Sequence, residues 1–312
     1  MINYIAKRLI MAIVTVLLIA CITFGLMNLV PGGPFLSEKA PSQTVLDKLN
    51  EKYGLDKPVI VQLKNYLLNV AKGDFGVSFK MQKNRPVLTI IKEMFPVSAK
   101  IGVIALIGAI LFGIPLGCIA AYYRGKPIDS ILRVFMTLGI AIPGFVLATV
   151  LLVTFAGGVW KIFPTSGLSG GAKSYVLPCF SLGFYPMCYI ARLTRSSMLD
   201  VINQEYVKTA RAKGLGTFKI IFKHCLRNAL IPVITYLGPL TASILTGGFV
   251  VESVFNIPGL GRYFIQSINN RDYPLIMGTT IFLASFVIIM NLVVDILYKF
   301  VDPRIDIAKG GN

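Results

Sequence analysis

Gly167-Leu168-Ser169-Gly170-Gly171 has the G-x-S-x-G spacing of a nucleophilic serine. Such a serine needs a base within hydrogen-bond reach to take its proton. The chain has one histidine, His224, in a basic stretch that the charge distribution sets on the opposite membrane face from Ser169. The segment therefore reads as a turn between helices, not as a protease site. Asp295 is a second candidate, because an acid within an apolar run is by default a proton site or an ion ligand. It stands alone there, about one turn before Lys299, and a structural pair with Lys299 or a loop arginine fits it better. Cys21, Cys118, Cys179, Cys188 and Cys225 show no C-x-x-C spacing and read as packing residues. The G-x-x-x-x-G-K-[ST] phosphate loop is missing from the sequence, so the chain is expected to bind no ATP itself.

The elements that would hold these residues are membrane helices. Hydrophobic residues make up 55% of the 312, and charged residues only 14%, against roughly 25% in soluble domains. Six apolar runs emerge, at 9–30, 97–123, 131–159, 175–190, 229–251 and 275–298. All but the fourth reach the ~20 residues needed to cross a ~30 Å hydrocarbon layer. The fourth becomes long enough if Arg192 snorkels to the interface. The expected fold class is all-α, a polytopic membrane protein with six transmembrane helices, the first over residues 1–30 and five more in a core over 97–300.

A formal charge of +17 would suggest nucleic acid in a soluble protein, but here the charge gathers at the membrane edges. Lys7 and Arg8 precede the first run. Arg192, Arg195, Lys208, Arg211, Lys213, Lys219, Lys223 and Arg227 fill the loop 192–228, and Lys299, Arg304 and Lys309 follow the last run. The short loops of the other face carry only Lys161, Lys173, Arg262 and Arg271. Positive charge resists translocation, which makes both termini, the tail 301–312 and the loop 192–228 cytoplasmic. Segment 31–96, at about 65 residues, is long enough to be translocated regardless of its charge and is expected outside. Leu18-Ile19-Ala20-Cys21 resembles a lipoprotein cleavage box, but the apolar run continues past it, beyond the 7 to 15 residues of a signal core. The first run is expected to stay as a helix.

Pro31-Gly32-Gly33-Pro34 should stop that helix. Beyond it, Val59, Leu63, Tyr66, Leu67 and Val70 recur on one helical face after Pro58, and Gly73-Asp74-Phe75-Gly76 ends the pattern. This amphipathic helix could lie on the membrane, pack on the outer loops or meet an external partner. In the cytoplasmic loop, Asn203 is expected as an N-cap, with Glu205 in the first turn and Lys208, Arg211 and Lys213 in the last. Gly214 fits the left-handed position that closes a helix, and Thr217 could cap the next. A helix this short needs a partner surface. Tyr206, Val207, Ala210 and Gly214 would offer a small-residue face to it.

Ala210-x-x-x-Gly214, followed by Arg227-Asn228-Ala229-Leu230-Ile231-Pro232, resembles the EAA loop of bacterial ABC importer permeases, in the longer form of the oligopeptide, dipeptide and nickel permeases. The likeness continues in Lys7-Arg8-Leu9, Tyr53-Gly54-Leu55-Asp56-Lys57-Pro58, Gly113-Ile114-Pro115-Leu116-Gly117, Phe255-x-x-Pro258-Gly259-Leu260-Gly261-Arg262, Arg271-Asp272-Tyr273-Pro274, Asn291-Leu292-Val293-Val294-Asp295 and Asp302-Pro303-Arg304. Two departures stand out: Lys208-Thr209-Ala210 occupies the place of Glu-Ala-Ala, and Pro232 lies farther from Gly214 than in the general pattern.

The resemblance implies the type I ABC importer permease fold and the first of two permease subunits, in the bacterial cell membrane, plasma or inner. The Pro-Gly-Gly-Pro-Phe start of the outer segment leans to oligopeptides. It further implies that the loop helix, with Glu205, Tyr206, Val207, Ala210, Gly214 and Leu215, docks into an ATPase subunit. A second homologous permease, two ATPase subunits holding ATP and Mg, and an external binding protein that delivers peptide are the implied partners. Thr241, Ser243 and Thr246, with Gly247 and Gly248, are candidate path residues, although small residues equally suit helix packing. A proton-coupled secondary carrier is the alternative, and a structural or assembly membrane protein a third class that would leave the coupling signals idle.

Overall fold

The computed structural model describes residues 2–31, 33–35, 43–158 and 160–301, and these are helical throughout apart from turns and one isolated bridge between Val77 and Pro86. The expected tail beyond Val301 lies outside the described residues. Two compact units form, one from residues up to Val97 together with Pro258–Leu292, the other chiefly from Ser98–Ile257.

In the first unit, α1 (Ile2–Leu29) ends just before Pro31, and Gly33 takes a left-handed φ of 56°. Next come α2 (Gln43–Tyr53) and α3 (Val59–Ala71), the latter opening directly after Pro58. Leu63, Tyr66, Leu67 and Val70 of α3 pack against a core containing Phe24, Met27, Ile276 and Met277. The helix thus packs on α1 and the last long helix of its own unit and not on the outer loops, while Val59, Ile60 and Leu68 remain exposed. Its sequence stripe is the cause, since burying that stripe removes apolar surface from water.

α4 (Val87–Tyr122) begins ten residues earlier than the apolar run indicated and continues through Pro96, so residues 87–96 belong to this helix. The third run is not one straight span. α5 (Pro127–Ala141) and α6 (Gly144–Leu152), which continues in a π-helical turn to Gly157, are bent by 98°. Pro143 explains the break, because a proline drives the residue before it out of the helical region, and Ile142 has φ −74°, ψ 121°.

The fourth run is longer than its apolar core, forming α7 (Lys173–Ile202). Arg192 is exposed, its guanidinium 5.2 Å from the ring centre of Tyr189. Gly113, Gly117 and Gly183 bring α4 and α7 into backbone contact; a Cβ on Gly117 would lie 2.4 Å from the Ala191 carbonyl oxygen. Close approach through small residues is how helices associate where lipid removes the hydrophobic drive between them.

After α8 (Glu205–Ala212), the chain runs through α9 (Thr217–Lys219), a π-helical turn over Ile220–Cys225, α10 (Leu226–Ala229) and α11 (Ile231–Leu245). α12 (Phe249–Val254) follows a break at Gly247, and α13 (Leu260–Asn270) and α14 (Tyr273–Val301) complete the order. Among the described residues, five helices are long and apolar enough to cross a membrane, and the bent α5–α6 pair is the sixth candidate.

Candidate functional site

α8 is built as the loop sequence suggests at its end and differently at its start. Its N-cap is Gln204, with no side-chain cap; Asn203 closes α7 instead, its Nδ2 donating to the Leu199 carbonyl at 3.0 Å. At the other end Gly214 has φ 75°, its N–H donates to the Arg211 carbonyl, and the Leu215 N–H donates to the Ala210 carbonyl. Those two bonds make a Schellman closure, which satisfies carbonyls that the helix end would leave orphaned. The Thr217 side chain lies outside the described residues.

Of the proposed small-residue face, Val207 and Ala210 turn inward, whereas Tyr206 and Gly214 are exposed. Val207 is 0% and Ala210 6% exposed, packed in a cluster with Ala121, Met198, Ile221 and Cys225 of the same chain, and Leu215 is half-buried against it. The surface left for another molecule consists of Glu205, Tyr206, Lys208, Thr209 and Arg211, all exposed. Periodicity identified Val207 and Ala210 as one face, and within this chain that face packs on the π-helical turn over Ile220–Cys225 together with α4, α7 and α10.

The Arg227-Asn228-Ala229 motif has a local explanation here. Asn228 Nδ2 donates to Tyr206 Oη at 2.8 Å, and Ala229 is fully buried in the cluster beneath α8. Burial pushes the Cys225 thiol up, against the pull of nearby Arg211, in keeping with a packing residue. Lys208 reaches Glu205 at 2.7 Å, an exposed pair of small energetic weight.

In the candidate path, Thr241 Oγ1 donates to the Leu237 carbonyl, Ser243 Oγ to Leu240 and Thr246 Oγ1 to Ser243, all within their own helix or its end. Thr246 is buried, whereas Ser243 is exposed. Gly247 has φ 96° and sits where a Cβ would press on Glu252 and Ser98, and a Cβ on Gly248 would lie 2.8 Å from Leu182 Cδ1. These glycines shape the break between α11 and α12. The Asp295 side chain lies outside the described residues, as does that of His224. Gly167 and Gly171 have φ 68° and 66°, the geometry of a turn around Ser169.

Two acids that the sequence did not single out are prominent. Asp129, in the first turn of α5, is 1% exposed and accepts from Arg195 Nε at 2.7 Å and Nη2 at 2.9 Å, with the Gly125 N–H at 3.1 Å. Asp272, 0% exposed, accepts from the Ser78 hydroxyl and from the backbone N–H groups of Phe79, Lys80 and Met81, each at 3.0 Å for the amides. Burial, then nearby Arg271, push the Lys80 ammonium below its usual range, against the pull of Asp272. Asp129 had a weak local signal, an acid just after Pro127 at a helix start. Asp272 had none beyond the Arg-Asp-Tyr-Pro motif.

Solved chains from a structure titled "Inward facing conformations of the MetNI methionine ABC transporter" share this fold, with TM-score 0.52 over 69% of this chain and 97% of that chain at 16% identity. Residues 113–307 match the family described as binding-protein-dependent transport system inner membrane component, and residues 1–102 match its N-terminal counterpart. The chain belongs to that family. It is similar to the dipeptide transport system permease protein DppB of Bacillus subtilis, 47% identical over 100% of both chains. It is also similar to the oligopeptide transport system permease protein OppB of Haemophilus influenzae, 43% identical over 98% of this chain and 99% of that one. The corresponding protein of Salmonella typhimurium is 40% identical over the same shares. The protein is thus a membrane-embedded ABC importer permease, a transport subunit and not a catalytic one.

Proposed function

We propose that this chain and a second homologous permease enclose the membrane path of an ATP-driven peptide importer, with oligopeptides as the leading substrate class. The names of its full-length relatives carry the peptide assignment. In this reading an extracytoplasmic binding protein delivers peptide, and two ATPase subunits, holding ATP and Mg, drive the path between outward and inward openings. Both termini and the loop 192–228 face the cytoplasm and residues 31–96 lie outside, as the charge distribution favours.

The observation that carries the coupling role is α8 itself. It is too short to stand alone, yet it is closed by Gly214, seated by Val207, Ala210 and Leu215 on its own chain and tied by Asn228, with its polar face left outward. Such a helix is a rigid handle: a push on Tyr206, Thr209 or Arg211 moves the ends of α4 and α7 beneath it. Thr241, Ser243 and Thr246, near the Gly247-Gly248 break, remain the proposed path residues of this chain.

The test is peptide uptake by proteoliposomes holding the complete importer and its binding protein. Uptake of radiolabelled tri-alanine should require ATP and should not follow a pH gradient imposed without ATP. Uptake driven by the gradient alone would support the secondary carrier instead.

A further inference from the structure

Resting on the importer reading, we propose that Asp129 and Arg195 form a coupling clamp, positioning residues that make α5 move with the end of α7 that carries α8. Arg195 lies about two turns before α7 ends at Ile202, and α8 begins at Glu205. Its guanidinium meets the Asp129 carboxylate side-on through two nitrogens, at 2.7 and 2.9 Å. Arg133 is the other cation facing this carboxylate, at 3.5 Å, and is largely exposed. The Gly125 N–H joins the turn between α4 and α5 to the same carboxylate.

Three features point to transmission and not to stability alone. First, a buried ion pair is seldom the most stabilising way to fill such a site, since apolar side chains of similar volume often do as well or better. A two-nitrogen fork instead fixes the mutual angle of the two helices it joins. Second, the clamp lies next to the seat of α8: Ala121, at the end of α4, and Met198, one turn beyond Arg195, belong to the cluster that buries Val207 and Ala210. Third, the far end of α5 is the Ile142-Pro143 break, where α6 departs at 98°. A displacement of α8 carried by α7 and α5 as one body would therefore reach that break, beyond which α6 also packs on α7.

The experiment uses the whole importer in proteoliposomes, comparing wild type with Asp129→Asn, Arg195→Gln and the double variant that removes both charges. ATP hydrolysed and radiolabelled tri-alanine taken up are measured per assembled complex. Uptake per ATP is expected to fall at least fivefold in each variant, with ATPase subunits retained, basal hydrolysis within twofold of wild type, and the double variant no worse than the singles. The clamp is overturned if uptake per ATP is unchanged, if uptake and hydrolysis fall in proportion, or if even the neutral double variant fails to assemble, which would make the pair purely structural. Absence of ATP-driven uptake in the wild type would remove the importer reading and the clamp with it; wild-type uptake with unaltered variant ratios removes the clamp alone.

Discussion

Asp129 and Asp272 are both shut away from solvent, at 1% and 0% exposure, and are satisfied in opposite ways. Asp272 is held by three consecutive backbone amides and the Ser78 hydroxyl, donors that belong to one tight loop. Asp129 is held mainly by one long side chain reaching from another helix. A carboxylate fixed by backbone amides locks one geometry, because those donors cannot turn away without unfolding the loop. A carboxylate fixed by an arginine joins two helices that can still move together. The first arrangement suits a fixed scaffold and the second, as the proposed clamp requires, a part that moves.

The comparison is sharpest in stability. Asp272→Ala leaves the buried Ser78 hydroxyl and three part-buried amides without their acceptor; at about 1 to 3 kcal/mol for the buried hydroxyl and less for each amide that water can reach, the loss is on the order of 3 kcal/mol or more. Membrane levels of full-length chain should fall about tenfold. Asp129→Asn keeps an oxygen facing Arg195, whose side chain is 19% exposed and partly solvated. The cost should be nearer 2 kcal/mol, below the 3 to 5 of a fully buried pair, and levels should fall by less than threefold. Quantitative membrane blots decide this; equal losses at the two sites would erase the distinction.

A smaller effect, without energetic cost, tests the proposed sides of the membrane. In a chain whose own cysteines are replaced, cysteines at the exposed positions Lys57 and Lys173 should react with an impermeant thiol reagent in intact cells. One at Lys213, exposed at the end of α8, should react only after the membrane is opened. Labelling at position 213 in intact cells would invert the topology and place the arginine-held carboxylate outside.

How far the sequence reached depends on the range of the interaction involved. The α3 stripe, the Gly214 closure and the stop at Pro31 were readable because each is decided by residues within a few positions of one another. The 98° bend was carried by a single proline inside an otherwise uniform apolar run, and hydropathy passes over it. The seat of Val207 and Ala210 illustrates a different limit: helical spacing tells which residues share a face, and not whether that face meets its own chain or another. Asp129 finds Arg195 66 positions away, and Asp272 finds its donors up to 194 positions away, so nothing local could announce those two pairings. For the same reason Ala210→Asp is a poor probe of docking, since it would bury a carboxylate inside this chain and unsettle α8 itself.

Docking is better probed on the outward face. Lys208 is exposed on α8, so a cysteine there, carrying a short photoactivatable cross-linker, can report which molecule lies against this helix in the assembled importer without disturbing its seat. The prediction is an adduct with an ATPase subunit, formed from position 208 and not from a control cysteine at Lys57. An assembled, transport-competent complex in which position 208 gives no ATPase adduct would contradict the assignment of α8 as the coupling element.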